Sequence, residues 1–282
     1  MDYISAVLMG VLQGIAEFLP ISSSGHLALF QHFFGMEDVE SQQLFFTVML
    51  HFGTLVSVCI YYWRDILDMI REFFLGIAAL FSGKGERERV VTPPARRLVL
   101  LIIVGTLPLF LILPVKDAIE SAMENVTFVS LALLATGFLL FFSDRLAKGR
   151  KTARTATIID ALVVGCAQAV GTLPGVSRSG ITISTGMLRG YDRSFAVRFS
   201  FLMSLPAVLG ATLLELKDAL EAGLVDTAIL PYCLVGMVIS GVVGYFAIRL
   251  VNLLADKGKF GAFAYYCWAV GGVSLIAGFV VK

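Results

Sequence analysis

The chain has 282 residues, 57% hydrophobic and 15% charged, with 22 Lys and Arg against 21 Asp and Glu for a formal net charge of +1. Soluble domains average roughly 45–50% apolar and about 25% charged residues, so this composition, with a mean hydropathy of +0.85, excludes an ordinary water-soluble globule. It also leaves no basic surplus for nucleic acid and points to lipid as the solvent.

Asp2 opens the chain, and the apolar stretch after it runs into Glu17 and Pro20 rather than a small-residue cleavage site. Insertion without cleavage is therefore expected. Residues 3–34 are apolar but interrupted near the middle by Pro20, Ser22, Ser23, Ser24 and Gly25. A continuous helix would lose hydrogen bonds and helix propensity there. Broken backbone at membrane depth survives only when buried in protein or lining a wet cavity, so a re-entrant helix–loop–helix hairpin is predicted.

Residues 44–63 form the first stretch with about 20 apolar residues, enough to span a bilayer. In 65–82, Asp65, Asp68, Arg71 and Glu72 alternate at helical spacing with Ile66, Leu67, Ile70, Phe73 and Phe74, which suits an interfacial helix. Further spans are predicted at 97–114, 126–143, 196–214, 228–254 and 260–280. Between them, 158–190 repeats the broken pattern, with Gly171, Pro174, Gly175, Ser177 and Ser179 in its middle. The expected fold is an all-α polytopic membrane protein, one transmembrane domain over 1–282, with six transmembrane helices and two re-entrant hairpins.

The charges sort by loop. Lys84, Arg87, Arg89, Arg96 and Arg97 lie in 83–97, and Arg145, Lys148, Arg150, Lys151 and Arg154 in 144–157. The opposite loops, 35–43, 115–125 and 215–227, hold Glu37, Asp38, Glu40, Asp117, Glu120, Glu124, Asp218, Glu221 and Asp226. The positive-inside rule makes the basic side cytoplasmic and puts both termini on the outer side. The four cysteines, Cys59, Cys166, Cys233 and Cys267, are widely spaced inside apolar runs and read as small buried residues, not a disulfide framework or metal cluster.

A shift of 155 residues lays Gly10 on Gly165, Gln13 on Gln168, Ser22 on Ser177, Ser24 on Ser179 and Gly25 on Gly180, with Phe46 on Phe201 and Leu50 on Leu205. Two internal repeats, approximately 1–143 and 156–282, are expected. Three predicted crossings separate the hairpins, so they enter from opposite faces as an inverted-topology repeat, whose site lies where the broken helices meet.

The first break, QGIAEFLPISSSGH at 13–26, gathers Gln13, Glu17, Ser22, Ser23, Ser24 and His26. An intramembrane carboxylate marks a functional site by default. His26 exchanges protons near neutral pH, and the serines can attack or bind phosphorus; alternatively they only cap the second half-helix. The second break, GTLPGVSRSGIT at 171–182, sets Arg178 between Ser177 and Ser179 at a helix start. Amides, hydroxyls and a guanidinium there form an anion cradle; alternatively Arg178 only pairs with Glu17. Together the breaks suit phosphoryl transfer to water, with Glu17 holding a divalent cation that substrate oxygens and water complete. His32 and His51 are expected to be packing or interfacial residues.

On these motifs, EFLPISSSGH at 17–26 and PGVSRSGIT at 174–182, followed by FSFLMSLP at 199–206, the chain resembles the undecaprenyl pyrophosphate phosphatases, also called bacitracin-resistance phosphatases, over essentially its whole length. The resemblance implies removal of the terminal phosphate of undecaprenyl pyrophosphate, with Mg²⁺ or Ca²⁺ as cofactor, in the bacterial inner membrane at a site open to the outer face. It implies that bacitracin competes for the lipid substrate and that the product carrier is recycled for peptidoglycan. It assigns Glu17 as the essential glutamate, Ser23 as nucleophile, His26 as proton-transfer aid and Arg178 as phosphate clamp. Ser177, Ser179 and Thr182 match the polar positions around that arginine, and Ser22 and Ser24 flank the nucleophile. Gln13 stands where family members often carry a second glutamate, keeping an oxygen for the metal but removing a charge.

A secondary transporter or lipid flippase is the alternative, because inverted repeats with broken helices also build transporters. The polar residues concentrate in the breaks and the long spans are nearly apolar, which favours the enzyme. Gly236, Ser240, Gly241 and Gly244 permit close helix contact, either within one chain or between two copies in a homodimer.

Overall fold

A computed structural model describes residues 2–34, 40–81, 93–221 and 229–280. Glu37, Asp38, Lys84, Arg87, Arg89 and Asp226, which entered the reading of sidedness, lie outside the described residues. The described residues are mainly helical, in the order α1 (Tyr3–Phe18), α2 (Ser23–Phe34), α3 (Glu40–Tyr61), α4 (Trp63–Phe81), α5 (Pro94–Thr106), α6 (Lys116–Ser121), α7 (Val126–Leu146), α8 (Ile158–Val170), α9 (Arg178–Leu188), α10 (Arg193–Glu221), α11 (Leu230–Asp256) and α12 (Phe263–Val280). Among the described residues, strand-like pairing is confined to one bridge between Lys151 and Tyr191.

Among the described residues five helical segments are long and apolar enough to cross a bilayer: Pro94–Val115, Val126–Leu146, Arg193–Lys217, Leu230–Asp256 and Phe260–Val280. A sixth arises if α3 and α4, bent by 83° between Tyr61 and Trp63, are taken together. Tertiary bonds hold the bend. Asp65 is ion-paired with Arg198 of α10, Asn252 of α11 donates to the Tyr62 hydroxyl at 3.0 Å, and Glu72 pairs with Arg96 at 3.1 Å. Beyond it, α4 exposes Leu67, Ile70, Phe73 and Phe74, as an interfacial helix does.

The two broken segments stop short. With 16 residues, α1 is about 24 Å long, less than the roughly 30 Å hydrocarbon layer, and α8 has 13 residues. Helix α1 packs on α11 by small residues: a Cβ on Gly10 would stand 2.8 Å from the Gly236 carbonyl, and one on Gly14 2.7 Å from that of Ser240. Toward α3, a Cβ on Gly241 would stand 3.1 Å from the Gly53 carbonyl. The small-residue stripe thus closes within one chain, where close backbones gain van der Waals contact without a hydrophobic drive, and it supplies no argument for a second copy. The core runs along α10 through Phe199, Phe201, Leu202 and Met203 and reaches Ile183 of α9, Val164 of α8 and Ile248 of α11.

The face carrying loop 147–157 is pinned by ion pairs. Asp160, fully buried, accepts from Lys151 at 2.7 Å and from Arg189 at 2.9 Å, and forms a capping box with Thr157 at the start of α8. Asp144 at the end of α7 binds Arg193 and the Gly261 amide. These contacts fix both ends of the loop against the C-cap of α9, the start of α10 and the turn before α12.

Candidate active site

Both breaks are built alike. Helix α1 ends at Phe18 because Pro20 cannot continue it, and α2 restarts with Ser22 as cap, its Oγ accepting from the Gly25 amide at 3.1 Å. Helix α8 ends at Val170, and α9 restarts with Ser177 as cap, its Oγ accepting from the Gly180 amide at 3.1 Å. Each cap satisfies a helix-start amide that buried backbone would otherwise leave unpaired. Ser22 has φ +68°, the left-handed region, as the sole non-glycine there among the described residues. A strained cap of this kind persists only where its surroundings enforce it.

The breaks lie against each other. A Cβ on Gly25 would come within 2.9 Å of the Gly175 Cα, and one on Gly180 within 3.1 Å of Pro20. Ser179 donates to the Leu19 carbonyl at 3.4 Å. This closeness delivers Arg178, first residue of α9, onto Glu17 near the end of α1, where its guanidinium binds Oε1. The other carboxylate oxygen, Oε2, accepts from Gln13 Nε2 at 3.2 Å and from Ser23 Oγ at 3.4 Å. Glu17 is only 8% exposed, and removing its partner would strand a buried charge at a cost of about 3–5 kcal/mol.

The remaining predicted residues fall around this pair. Ser24 reaches the Ser22 hydroxyl at 3.4 Å. Thr182 donates back to the Arg178 carbonyl and meets Ser200 Oγ at 2.6 Å. Both ring nitrogens of His26 are engaged: its Nδ1 is 2.7 Å from the Ser22 carbonyl and its Nε2 2.8 Å from the Tyr266 hydroxyl. A carbonyl only accepts, so Nδ1 carries the proton, and in the neutral ring Nε2 accepts from the phenol. Tyr266 also stacks on the imidazole, at a centroid distance of 5.5 Å.

Three residues at this centre escaped the sequence reading. His51, expected as a packing residue, lies with Nδ1 3.2 Å from Gln13 Nε2 and 3.9 Å from Glu17. Tyr266 holds His26 from α12, and neither has a motif or spacing that links it to the breaks. Gln168 had one signal, its register with Gln13 in the repeat. It is fully buried, and no group among the described residues bonds either its Oε1 or its Nε2, at about 1–3 kcal/mol for each unsatisfied group. It lines a cavity with Glu17, Arg178, Thr182, Ser200 and Ser204.

For a divalent cation the donors are few. Among the described residues no three His, Cys, Asp or Glu side chains cluster as a metal site. Gln13 turns its Nε2, not its oxygen, toward Glu17, so a hard cation of the Mg²⁺ type would rest on the one carboxylate, with substrate oxygens and water completing its shell.

Apolar spans around two facing helix breaks, with the buried Glu17 carboxylate paired to Arg178 at their junction, define a multi-pass membrane protein. Residues 6–273 match the family model described as bacitracin resistance protein BacA. The chain is 42% identical over 277 residues to an undecaprenyl-diphosphatase of Alkaliphilus metalliredigens, covering 98% of each chain. It is 39% identical over 286 residues, all of both chains, to one of Methanosphaera stadtmanae, and 40% identical over 272 residues, 96% of each, to one of Halothermothrix orenii. This protein belongs to the bacitracin resistance protein BacA family.

Proposed function

We propose that the chain is an integral membrane phosphatase that hydrolyses undecaprenyl pyrophosphate to undecaprenyl phosphate and inorganic phosphate. The carrier is thereby returned for peptidoglycan synthesis in the inner membrane, and the enzyme confers resistance to bacitracin, which competes for the same lipid. The observation that carries this reading is the meeting of Arg178, at a capped helix start, with Glu17 and Ser23 from the other break. Full-length relatives that bear the undecaprenyl-diphosphatase name support it.

In the resting arrangement Arg178 is neutralised by Glu17. An entering phosphate offers the guanidinium a second, tetrahedral partner at the N-terminus of α9, where fork geometry and helix amides favour an anion. Drawing Arg178 onto phosphate frees Glu17 to take a proton from the attacking oxygen. Ser177 and Ser179 hold that helix start, Thr182 braces its first turn, and Ser22 and Ser24 hold the start of α2. His26 aids proton transfer to the departing oxygen only as the doubly protonated ring, because in the neutral ring its one proton, on Nδ1, is held by the Ser22 carbonyl and Nε2 accepts from Tyr266. Mg²⁺ or Ca²⁺ would be held by Glu17 and, through its amide oxygen, Gln13, and would supply neutralisation of phosphate charge.

The finer architecture belongs to the same reading: six spans, two re-entrant hairpins entering from opposite faces as an inverted repeat, and both termini outside. The matched caps Ser22 and Ser177, one repeat length apart, support it.

The test is phosphate release from a long-chain prenyl pyrophosphate in detergent, with and without EDTA, for the wild type beside Glu17→Gln and Arg178→Ala. Metal-dependent release by the wild type that disappears in both folded variants is expected. No release by the wild type with any divalent metal would overturn the enzyme in favour of a transporter.

A further inference from the structure

The Glu17–Arg178 pair borders two different surroundings. On one side lie Gln13, Ser23 and His26, all partly exposed, together with His51, whose side chain is 26% exposed. On the other lies the cavity lined by Gln168, Thr182 and Ser200, each at most 3% exposed. About 10 Å³ of it can receive the centre of a water molecule, which is one water's worth. Gln168 brings to it a donor and an acceptor that no described protein group engages. Its repeat counterpart Gln13, by contrast, commits its amide to Glu17 and His51. A fully buried amide without protein partners, beside a carboxylate and a water-sized space, has the chemistry of a water holder.

Phosphoryl transfer requires the attacking and leaving oxygens to be roughly in line. A lipid pyrophosphate enters terminal phosphate first from the partly exposed side, because its chain stays in lipid, so its leaving oxygen points back the way it came. The attacking oxygen must then come from the side away from the chain, and the cavity against Glu17 and Arg178 is a space that can hold it.

We infer that Gln168 is a positioning residue that holds the hydrolytic water in this cavity for direct attack on the terminal phosphorus; the inference rests on the phosphatase reading above. The water oxygen bonds to phosphorus as the bridging P–O bond breaks, and the bond pair leaves with the lipid monophosphate. One water proton passes to Glu17 and the other stays on the released phosphate. Ser23 then donates a hydrogen bond to a phosphate oxygen and forms no covalent bond.

The experiment compares full-length wild type with Gln168→Met, which keeps the volume and removes the amide, and Gln168→Ala, which enlarges the cavity. Turnover of a long-chain prenyl pyrophosphate is followed in detergent with and without methanol, with thermal unfolding as the fold check. Gln168→Met is expected to lower kcat by about 10- to 100-fold and leave KM within about twofold, which a merely structural role would not separate. Gln168→Ala is expected to form methyl phosphate at a higher methanol-to-water ratio than the wild type. If Gln168→Met is poorly folded, that ratio alone decides. Unchanged kcat in folded Gln168→Met, an unchanged methanol ratio, or acid-stable phosphoserine at Ser23 in quenched wild type would overturn the inference. Absence of wild-type phosphate release would instead remove the phosphatase reading itself.

Discussion

Glu17 carries two loads, the charge that holds Arg178 and the oxygen that faces Ser23 and Gln13. Arg178→Lys separates them. An ammonium still neutralises the carboxylate, but it cannot present the planar fork that binds phosphate at two points. The variant is expected to stay folded while kcat/KM falls about 100-fold or more, since clamp groups on a transferring phosphoryl are worth that much; an unfolding scan beside the kinetic assay checks both halves. Gln13→Glu should act in the opposite direction on the metal. It places a second carboxylate next to the first, and at an effective dielectric constant of about 20 an added charge within several ångströms is worth roughly 1–3 kcal/mol toward a cation. The Mg²⁺ concentration giving half-maximal turnover is expected to fall about tenfold, read from a metal titration; a half-saturation unchanged from wild type would separate Gln13 from the cation. At this scale the sequence displayed Gln13, Glu17, Ser23, His26 and Arg178 because polar groups are costly in an apolar hairpin and stand out there. It hid His51, Tyr266 and Gln168. His51 and Tyr266 lie outside both break motifs and Gln168 was marked only by its register with Gln13, so only packing shows that they face the breaks.

The helical elements owe their ends to Gly, Pro and Ser at the breaks, and there local chemistry was enough to foretell the structure. Gly175 shows why the residue type is not negotiable. Its φ of +85° suits glycine alone, and a Cβ would run into the Val129 carbonyl and the Ala132 side chain of α7. Gly175→Ala is therefore expected to destabilise the protein by about 1–3 kcal/mol and to lower activity, because the break at Gly25 must move with it. Gly272→Ala in α12, where an added Cβ meets nothing within 4 Å, is the matched control and is expected to leave the unfolding midpoint unchanged or raise it slightly. Equal midpoints for the two variants would mean that the breaks are not held backbone to backbone. The 83° turn from α3 into α4 is the contrasting case. Tyr61, Tyr62 and Trp63 contain no breaker, and the turn is enforced from outside by Arg198 and Asn252 on helices more than 100 residues away, so only the change from apolar to charged sequence marked it.

Across the whole molecule the centre works only if it opens to the face where its lipid substrate arrives, and that face follows from which side the basic loop 147–157 occupies. The loop is an ordered marker of its side, because Lys151 is bonded to Asp160 and paired in backbone with Tyr191. Lys148, Arg150 and Arg154 on it are exposed. The membrane retains such positive charge on the cytoplasmic side. In a background with the four native cysteines replaced by alanine, a cysteine at Arg150 is expected to react with an impermeant maleimide only after intact cells are permeabilised. A cysteine at Ser121, exposed on the opposite connection between α6 and α7, should react in intact cells. One α7 span of 21 residues separates the two positions, so they must label from opposite sides whatever the orientation, which makes the pair its own control. Labelling of Arg150→Cys in intact cells would reverse the molecule, turn the α1 and α2 hairpin toward the cytoplasm and withdraw the outward-opening site, while leaving the chemistry of Glu17 and Arg178 untouched.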